Sequence, residues 1–239
     1  MKFFLSLAVL MSFCLSSCFL TDERVEGNGN IKTENRTVGS FSSIDVGGNI
    51  NVYITQGAAA PVRIETDENL LPLVEITTKG NRLVVRPRDD YNLDPSREID
   101  VYVSSDHFSY IGVSGASHVY GQSKITSSEK MKVEATGASG VEIDLNAPVI
   151  ETHISGASSA QLRGETKDLV LEGSGASSLK CFDLKAENVE VKISGASEAQ
   201  TFASVKLDAR ASGASHVKYK GSPTVNSNTS GASGVSKAD

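Results

Sequence analysis

The sequence predicts an all-β protein: mainly a right-handed parallel β-helix, or solenoid, with about 18–22 residues per rung, preceded by a less regular β-rich half. Two observations carry this. A Ser-Gly-Ala-Ser phrase recurs seven times, starting at Ser114, Thr136, Ser155, Ser174, Ser194, Ser212 and Ser230, in steps of 22, 19, 19, 20, 18 and 18 residues. A fixed period near twenty marks a chain built of stacked repeats. Between the phrases, apolar and polar residues alternate, which is the periodicity of a strand with one face buried.

Residues 1–17 read as a lipoprotein signal peptide. Lys2 supplies a short positive start, and Phe3 to Leu15 is apolar apart from Ser6 and Ser12. That run is too short to span a bilayer. It ends in Leu15-Ser16-Ser17-Cys18, which resembles a bacterial lipobox, so Cys18 is the expected lipidation site. Bulky Phe13 makes Cys14 the poorer candidate. Acyl chains worth roughly 0.8 kcal/mol per buried CH₂ would anchor the mature protein durably.

Residues 18–36 are polar and rich in Gly, Asn and charge, as expected of a lipidated Cys with a flexible tether. No Asp follows Cys18 directly, so the inner-membrane retention signal of enterobacteria is missing. Asp22 and Glu23 loosely resemble the surface-export signal of Bacteroidetes lipoproteins. The expected location is therefore the outer membrane, lipid-anchored and facing the cell surface; the periplasmic face is the alternative. The formal charge is -6. Removal of Lys2, the one charge in residues 1–17, takes it to -7, a sign that argues against nucleic acid as a partner. With Cys14 cleaved and Cys18 lipidated, Cys181 alone remains, and no intramolecular disulfide can form. The fold must then rest on its own core or on repetition.

Residues 37–239 read as a single domain. Its first part, 37–113, lacks the phrase but keeps the alternation. Six strands are expected at 44–46, 50–54, 62–66, 74–77, 83–87 and 99–103, and Lys79-Gly80-Asn81 signals a hairpin between two of them. These strands would begin or cover the solenoid.

The second part, 114–239, holds the seven repeats. One, three and five residues before each phrase lie mostly apolar columns, such as Ile154, Thr152 and Ile150. The columns between them are mostly polar, as in His153, Glu172, Lys192 and Arg210. The alternation resumes after the phrase, so each repeat has a strand on either side of a corner. The corner glycines are Gly115, Gly137, Gly156, Gly175, Gly195, Gly213 and Gly231, placed where a tight turn needs φ > 0. A second, variable corner is expected near Asn146-Ala147-Pro148 and its equivalents. The last repeat turns polar at Ser227, Thr229 and Lys237, as suits a terminal rung that must discourage end-to-end pairing.

Gly48-Asn49-Ile50-Asn51-Val52, followed by the Ser-Gly-Ala-Ser phrases behind a lipobox, resembles the auto-transporter adhesin, head GIN domain family of Bacteroidetes. The resemblance runs from about residue 40 to the end. It implies a right-handed β-helix in a cell-envelope protein, and the family's name implies adhesion. It carries no catalytic or binding residues. Nothing here resembles an autotransporter's membrane barrel, so the lipid would do the anchoring.

Little else suggests chemistry. His118 and His216 share a column but lie five rungs, roughly 24 Å, apart, too far to share a metal. His153 and His107 stand elsewhere. Glu198 and His216 are column neighbours and read as a surface ion pair rather than an acid-base couple. The serines Ser117, Ser139, Ser158, Ser177, Ser197, Ser215 and Ser233 read as a structural ladder, not nucleophiles. Cys181 sits in an inward column as a core thiol. Asn35-Arg36-Thr37 and Asn228-Thr229-Ser230 match a glycosylation pattern by chance. Outward aromatics are almost confined to Tyr110 and Tyr120, without a sugar-stacking platform or cleft, and a regular ice-binding Thr column is absent. No catalytic residue, metal site or cofactor is expected. The expected function is non-catalytic adhesion or ligand binding by a surface head, the ligand being a protein or glycan. The alternatives are a periplasm-facing structural or envelope-stress lipoprotein and a polysaccharide-active β-helix enzyme.

Overall fold

A computed structural model describes residues 23–239. The signal peptide, residues 1–17, and Cys18 lie outside the described residues. The chain is all-β, a solenoid of about seven turns of stacked parallel coils joined to a less regular sheet.

The first two strands, β1 (Glu23–Glu26) and β2 (Ile31–Arg36), correct the sequence expectation. Residues 23–36 are not a flexible tether. Their alternation is weak, and pairing with distant strands supplies the order that local pattern does not. β3 (Ser43–Val46) and β4 (Ile50–Gln56) follow, separated by a corner at Gly47-Gly48. Next come β5 (Val62–Asp67), a single 3-10 turn (Leu71–Leu73), β6 (Val74–Lys79), β7 (Arg82–Pro87), β8 (Tyr91–Asp94) and β9 (Ile99–Ser105).

The regular coils begin with β10 (Tyr110–Val113), β11 (His118–Gly121), β12 (Ile125–Thr126) and β13 (Met131–Ala135). Four long strands then run from one Ser-Gly-Ala-Ser corner to the next: β14 (Gly140–Ile154), β15 (Ser159–Gly173), β16 (Ser178–Ile193) and β17 (Glu198–Gly213). β18 (His216–Gly221), β19 (Thr224–Gly231) and β20 (Gly234–Lys237) close the stack. The expected second corner does not break the pairing. Residues 140–147 and 149–154 of β14 both lie in register on β15. The varying period is absorbed there as register shifts, between Gln161 and Gly164 and again after Cys181.

Rung order differs from chain order at the N-terminal end. β10 pairs in parallel with both β13 and β3, and β11 with both β14 and β4. The β3–β4 coil is thus the rung directly before β10–β11, although more than fifty residues intervene. β7 pairs with β3 and β9 with β4, giving one rung further out. That end is then closed by antiparallel strands: β6 on β7, β5 on β9 and β2 on β5. β1 pairs in parallel with β8. The six strands read from the alternation are all present, and Lys79-Gly80-Asn81 turns the β6–β7 hairpin.

The inward columns fill the interior with Val141, Ile143, Ile150, Ile154, Leu169, Leu171, Leu179, Val189 and Val191, all nearly inaccessible. Each coil buries these residues against the next, which is the main stabilising term of a repeat fold. β19 is largely exposed, with only Val225 and Val235 packing on the core from the last rung.

Candidate functional site

The Ser-Gly-Ala-Ser corner positions everything around it. Gly195 has φ +79°, in the left-handed region, and a Cβ there would stand 2.5 Å from the carbonyl oxygen of Gly175 on the rung below. The corner backbone is itself a hydrogen-bonded ladder: Ala196 N donates to Gly175 O at 2.7 Å and Ala214 N to Gly195 O at 2.7 Å. The column starts earlier than the phrase. Gly48 has φ +91°, and Ala116 N donates to its carbonyl at 2.8 Å.

Within each phrase the two hydroxyl residues face opposite ways. The fourth residue points inward. Ser117, Ser139, Ser158, Ser177, Ser197 and Ser215 are buried, and Ser158 Oγ donates to Ser155 O at 2.8 Å. Ser177 Oγ donates to Ser197 Oγ at 3.0 Å. These serines hold the corner. The first residue points outward, and the first residue of every phrase lines a cavity.

Three cavities lie end to end along that corner. One of about 190 Å³ is bounded by Asp45, Tyr110, Ser114, Glu134 and Thr136, among others. One of about 440 Å³ shares Glu134 and Thr136 with it and adds His153, Ser155, Glu172, Ser174 and Lys192. A third, of about 370 Å³, shares Lys192 and adds Ser194, Arg210, Ser212, Asn228 and Ser230. Shared walls make them one groove. One wall is the outward hydroxyl column. The other is a ladder set by strand register: Asp45, Gly112, Glu134, His153, Glu172, Lys192, Arg210, Asn228. Eight rungs make seven steps, roughly 34 Å at the spacing of paired strands. The sequence expectation of a surface without a cleft is corrected by this open groove.

The charged wall is internally braced. Tyr110 Oη donates to Glu134 Oε2 at 2.6 Å, and Lys132 Nζ reaches Glu134 at 2.6 Å. Hydrogen bonds from Lys132 and then Tyr110 hold the Glu134 carboxyl below the usual range. His153 Nε2 lies 3.0 Å from Glu172, while its Nδ1 has no hydrogen-bond partner. Lys192 bridges Glu172 at 3.3 Å and Glu190 at 2.9 Å. Acidic residues thus occupy the N-terminal part of the ladder and basic ones the C-terminal part.

A second outward feature was hidden from the sequence. Tyr53, Tyr102 and Tyr120 stack, with ring centroids 4.8 Å and 5.3 Å apart, and the Arg63 guanidinium covers Tyr102 at 3.6 Å. The expectation that outward aromatics are almost confined to Tyr110 and Tyr120 is corrected. Tyr53 and Tyr102 come from the irregular half, and only the stacking of rungs brings them beside Tyr120. Arg63 and the neighbouring rings cover both faces of Tyr102 and Tyr53, and Tyr53 covers one face of Tyr120. Burial, foremost, pushes the Tyr53 hydroxyl up to about 12.

The other sequence candidates remain apart. His118 and His216 are separated by five ladder steps. Glu198 and His216 are register partners, but the Glu198 carboxylate is taken by Lys218 Nζ at 3.0 Å. Cys181 is fully buried, and burial pushes its thiol up to about 12. Among the described residues no group of three or more His, Cys, Asp or Glu is placed to hold a metal. None of the described helices is long and apolar enough to cross a membrane.

Residues 40–223 match the family model described as "Putative auto-transporter adhesin, head GIN domain". The structure is similar to a "putative adhesin" from Bacteroides fragilis, with a TM-score of 0.83 and 22% identity over 90% of this chain and 100% of that one. It is also similar to a "putative lipid binding protein" from Parabacteroides distasonis (TM-score 0.77, 20% identity, 91% of this chain and 100% of that one). A "putative adhesin" from Parabacteroides merdae gives a TM-score of 0.72 at 22% identity, again over 91% and 100%. At such identities these structures share the fold. No curated protein matches the chain in sequence. The match over most of its length places the chain in the head GIN domain family.

Proposed function

We propose that this member of the head GIN domain family is a non-catalytic protein of the cell envelope. It is held to the outer membrane through a lipid on Cys18, with its solenoid displayed at the cell surface to bind an extracellular protein or glycan. The observation that carries the reading is the groove: an open cleft roughly eight rungs long, flanked by hydroxyl and charged side chains, on a family fold associated with adhesion. A rigid surface binds without losing much conformational freedom, so modest contacts repeated along it suffice.

Two other readings have less support. A lipid cargo, suggested by the name of one structural neighbour, needs an enclosed apolar cavity. The cavities here are open clefts in which Ser, Thr, Glu, Lys and Arg stand beside Ile154, Ile193 and Ala211, and none is enclosed. Polysaccharide hydrolysis needs a carboxyl kept protonated as an acid. In the groove Glu134 is instead held below the usual carboxyl range by Lys132 and Tyr110, and Asp100, the one carboxyl among the described residues that burial raises above its ordinary value, lies outside it.

The test is protease treatment of intact cells carrying the native protein or Cys18→Ser. Cleavage of the native head from outside, with the variant released from the membrane fraction, is the expected result. A head protected until the outer membrane is broken would transfer the protein to the periplasmic face and end the adhesin reading.

A further inference from the structure

The groove itself points to a ligand chemistry, an inference that rests on the reading of the head as a binding module. We propose that it is the binding site of an extended glycan, a polyhydroxylated chain lying along the solenoid axis with successive sugars over successive rungs.

The walls argue for this class. One wall repeats an outward hydroxyl, from Ser114 through Ser230, at the rung spacing of about 4.8 Å. The facing wall repeats groups that accept or donate hydrogen bonds: Glu134, His153, Glu172, Lys192, Arg210 and Asn228. A polymer whose own donors and acceptors recur along its length can meet both walls at each step. Each contact is weak, and the sum grows with length.

The same walls disfavour other occupants. Val205 is the one exposed large hydrophobic among the described residues, and it does not line the groove. The apolar residues that do line it, such as Val113, Ile154, Ile193 and Ala211, are each only 3% exposed, so an acyl chain or the apolar face of a helical peptide gains little there. A peptide adding as a β-strand needs a free backbone edge. The backbone of the middle corners is already committed to the ladder, as in Ala157 N to Gly137 O at 2.7 Å and Ala176 N to Gly156 O at 2.8 Å. Side chains, not main chain, must make the contacts, which suits a hydroxyl-rich ligand.

The groove is also uneven in charge. Lys192 is shared between Glu172 and Glu190, whereas Arg210, one rung further on, forms no salt bridge among the described residues. A carboxylate-bearing sugar would bind with its charge toward Arg210 and neutral sugars toward His153.

The experiment titrates purified full-length lipoprotein in detergent with neutral and acidic oligosaccharides of two, four, six and eight sugars. Ser174→Arg places a long side chain in the groove at an exposed corner position. Ser178→Arg, on the far side of the same corner, is the control, and the thermal midpoint of each variant verifies folding. The expected result is affinity that rises with chain length, at least tenfold weaker for Ser174→Arg and unchanged for Ser178→Arg. Length-independent binding, or binding indifferent to Ser174→Arg, would overturn the groove as the site. Absence of binding of every oligosaccharide to the folded protein would overturn the glycan class. It would leave the adhesive reading standing. A protease-protected head that binds oligosaccharides in the groove would do the reverse.

Discussion

Gly195 concentrates the physics of the repeat in one position. An L side chain in its left-handed conformation is strained, and the added atom would also press on the Gly175 carbonyl. Gly195→Val is expected to cost several kcal/mol, because neither the backbone angle nor the rung spacing can relax without breaking the ladder. The urea midpoint measures it, and an unchanged midpoint would show that the corner tolerates a different path. Asp67 does comparable work at the other end. It is buried, accepting from Gly29 N at 2.7 Å, Ser96 N at 2.9 Å and Ser96 Oγ at 2.7 Å. Burial alone would raise this carboxyl, but the hydrogen bonds, those of Ser96 first, outweigh it and hold it below the ordinary value. A depressed folded-state pKa contributes stability that is present above the unfolded value, near 3.9, and lost as pH falls through the folded one. Asp67→Asn sets an amide donor against a cluster of donors. It is expected to cost about 1–3 kcal/mol at neutral pH and to flatten the acid dependence of the urea midpoint between pH 5 and pH 2.

The strands carry different amounts of information. β13 to β18 were legible because every inward column repeats six or seven times, so noise at one rung, such as Gly173 among isoleucines, is outvoted. β3 to β7 and β9 were legible from shorter alternation. β1, β2 and β8 were not: Glu-Arg-Val-Glu and Ile-Lys-Thr-Glu-Asn-Arg read as solvated chain, and their order comes from pairing with β8 and β5. The two ends of the stack are closed differently. Antiparallel strands cover the N-terminal rungs, while β19 and β20 cover the other end with polar residues. Deletion of residues 224–239 would uncover Leu207, Ala209 and Val217, which the last rung shields, and leave an apolar edge that recruits other strands. Light scattering is expected to report oligomers for the truncated protein and a uniform species for the intact one. A monodisperse truncation would show that the β17–β18 coil is its own cap.

Stacking converts short-range pattern into a long surface. No single repeat contains the groove; it arises because the same outward hydroxyl and the same outward polar residue recur at each level. Both columns were visible in the sequence, as the first residue of the phrase and the residue two before it. That they face each other across a cleft was not, because a hydrophobic period reports which side of a strand is buried, not how sharply the backbone turns at the corner. The Tyr53–Tyr102–Tyr120 stack was further out of reach. Its members come from three coils whose spatial order does not follow chain order. Local alternation was enough for the rungs, their corners and their core, since each coil buries its apolar columns against a neighbour of nearly identical sequence. The place of β3–β4 between β7–β9 and β10–β11, and with it the reach of the groove to Asp45, was decided in three dimensions. Pairing between segments tens of residues apart depends on which apolar edges remain open after the local strands form, and nothing in the period of one segment encodes its partner.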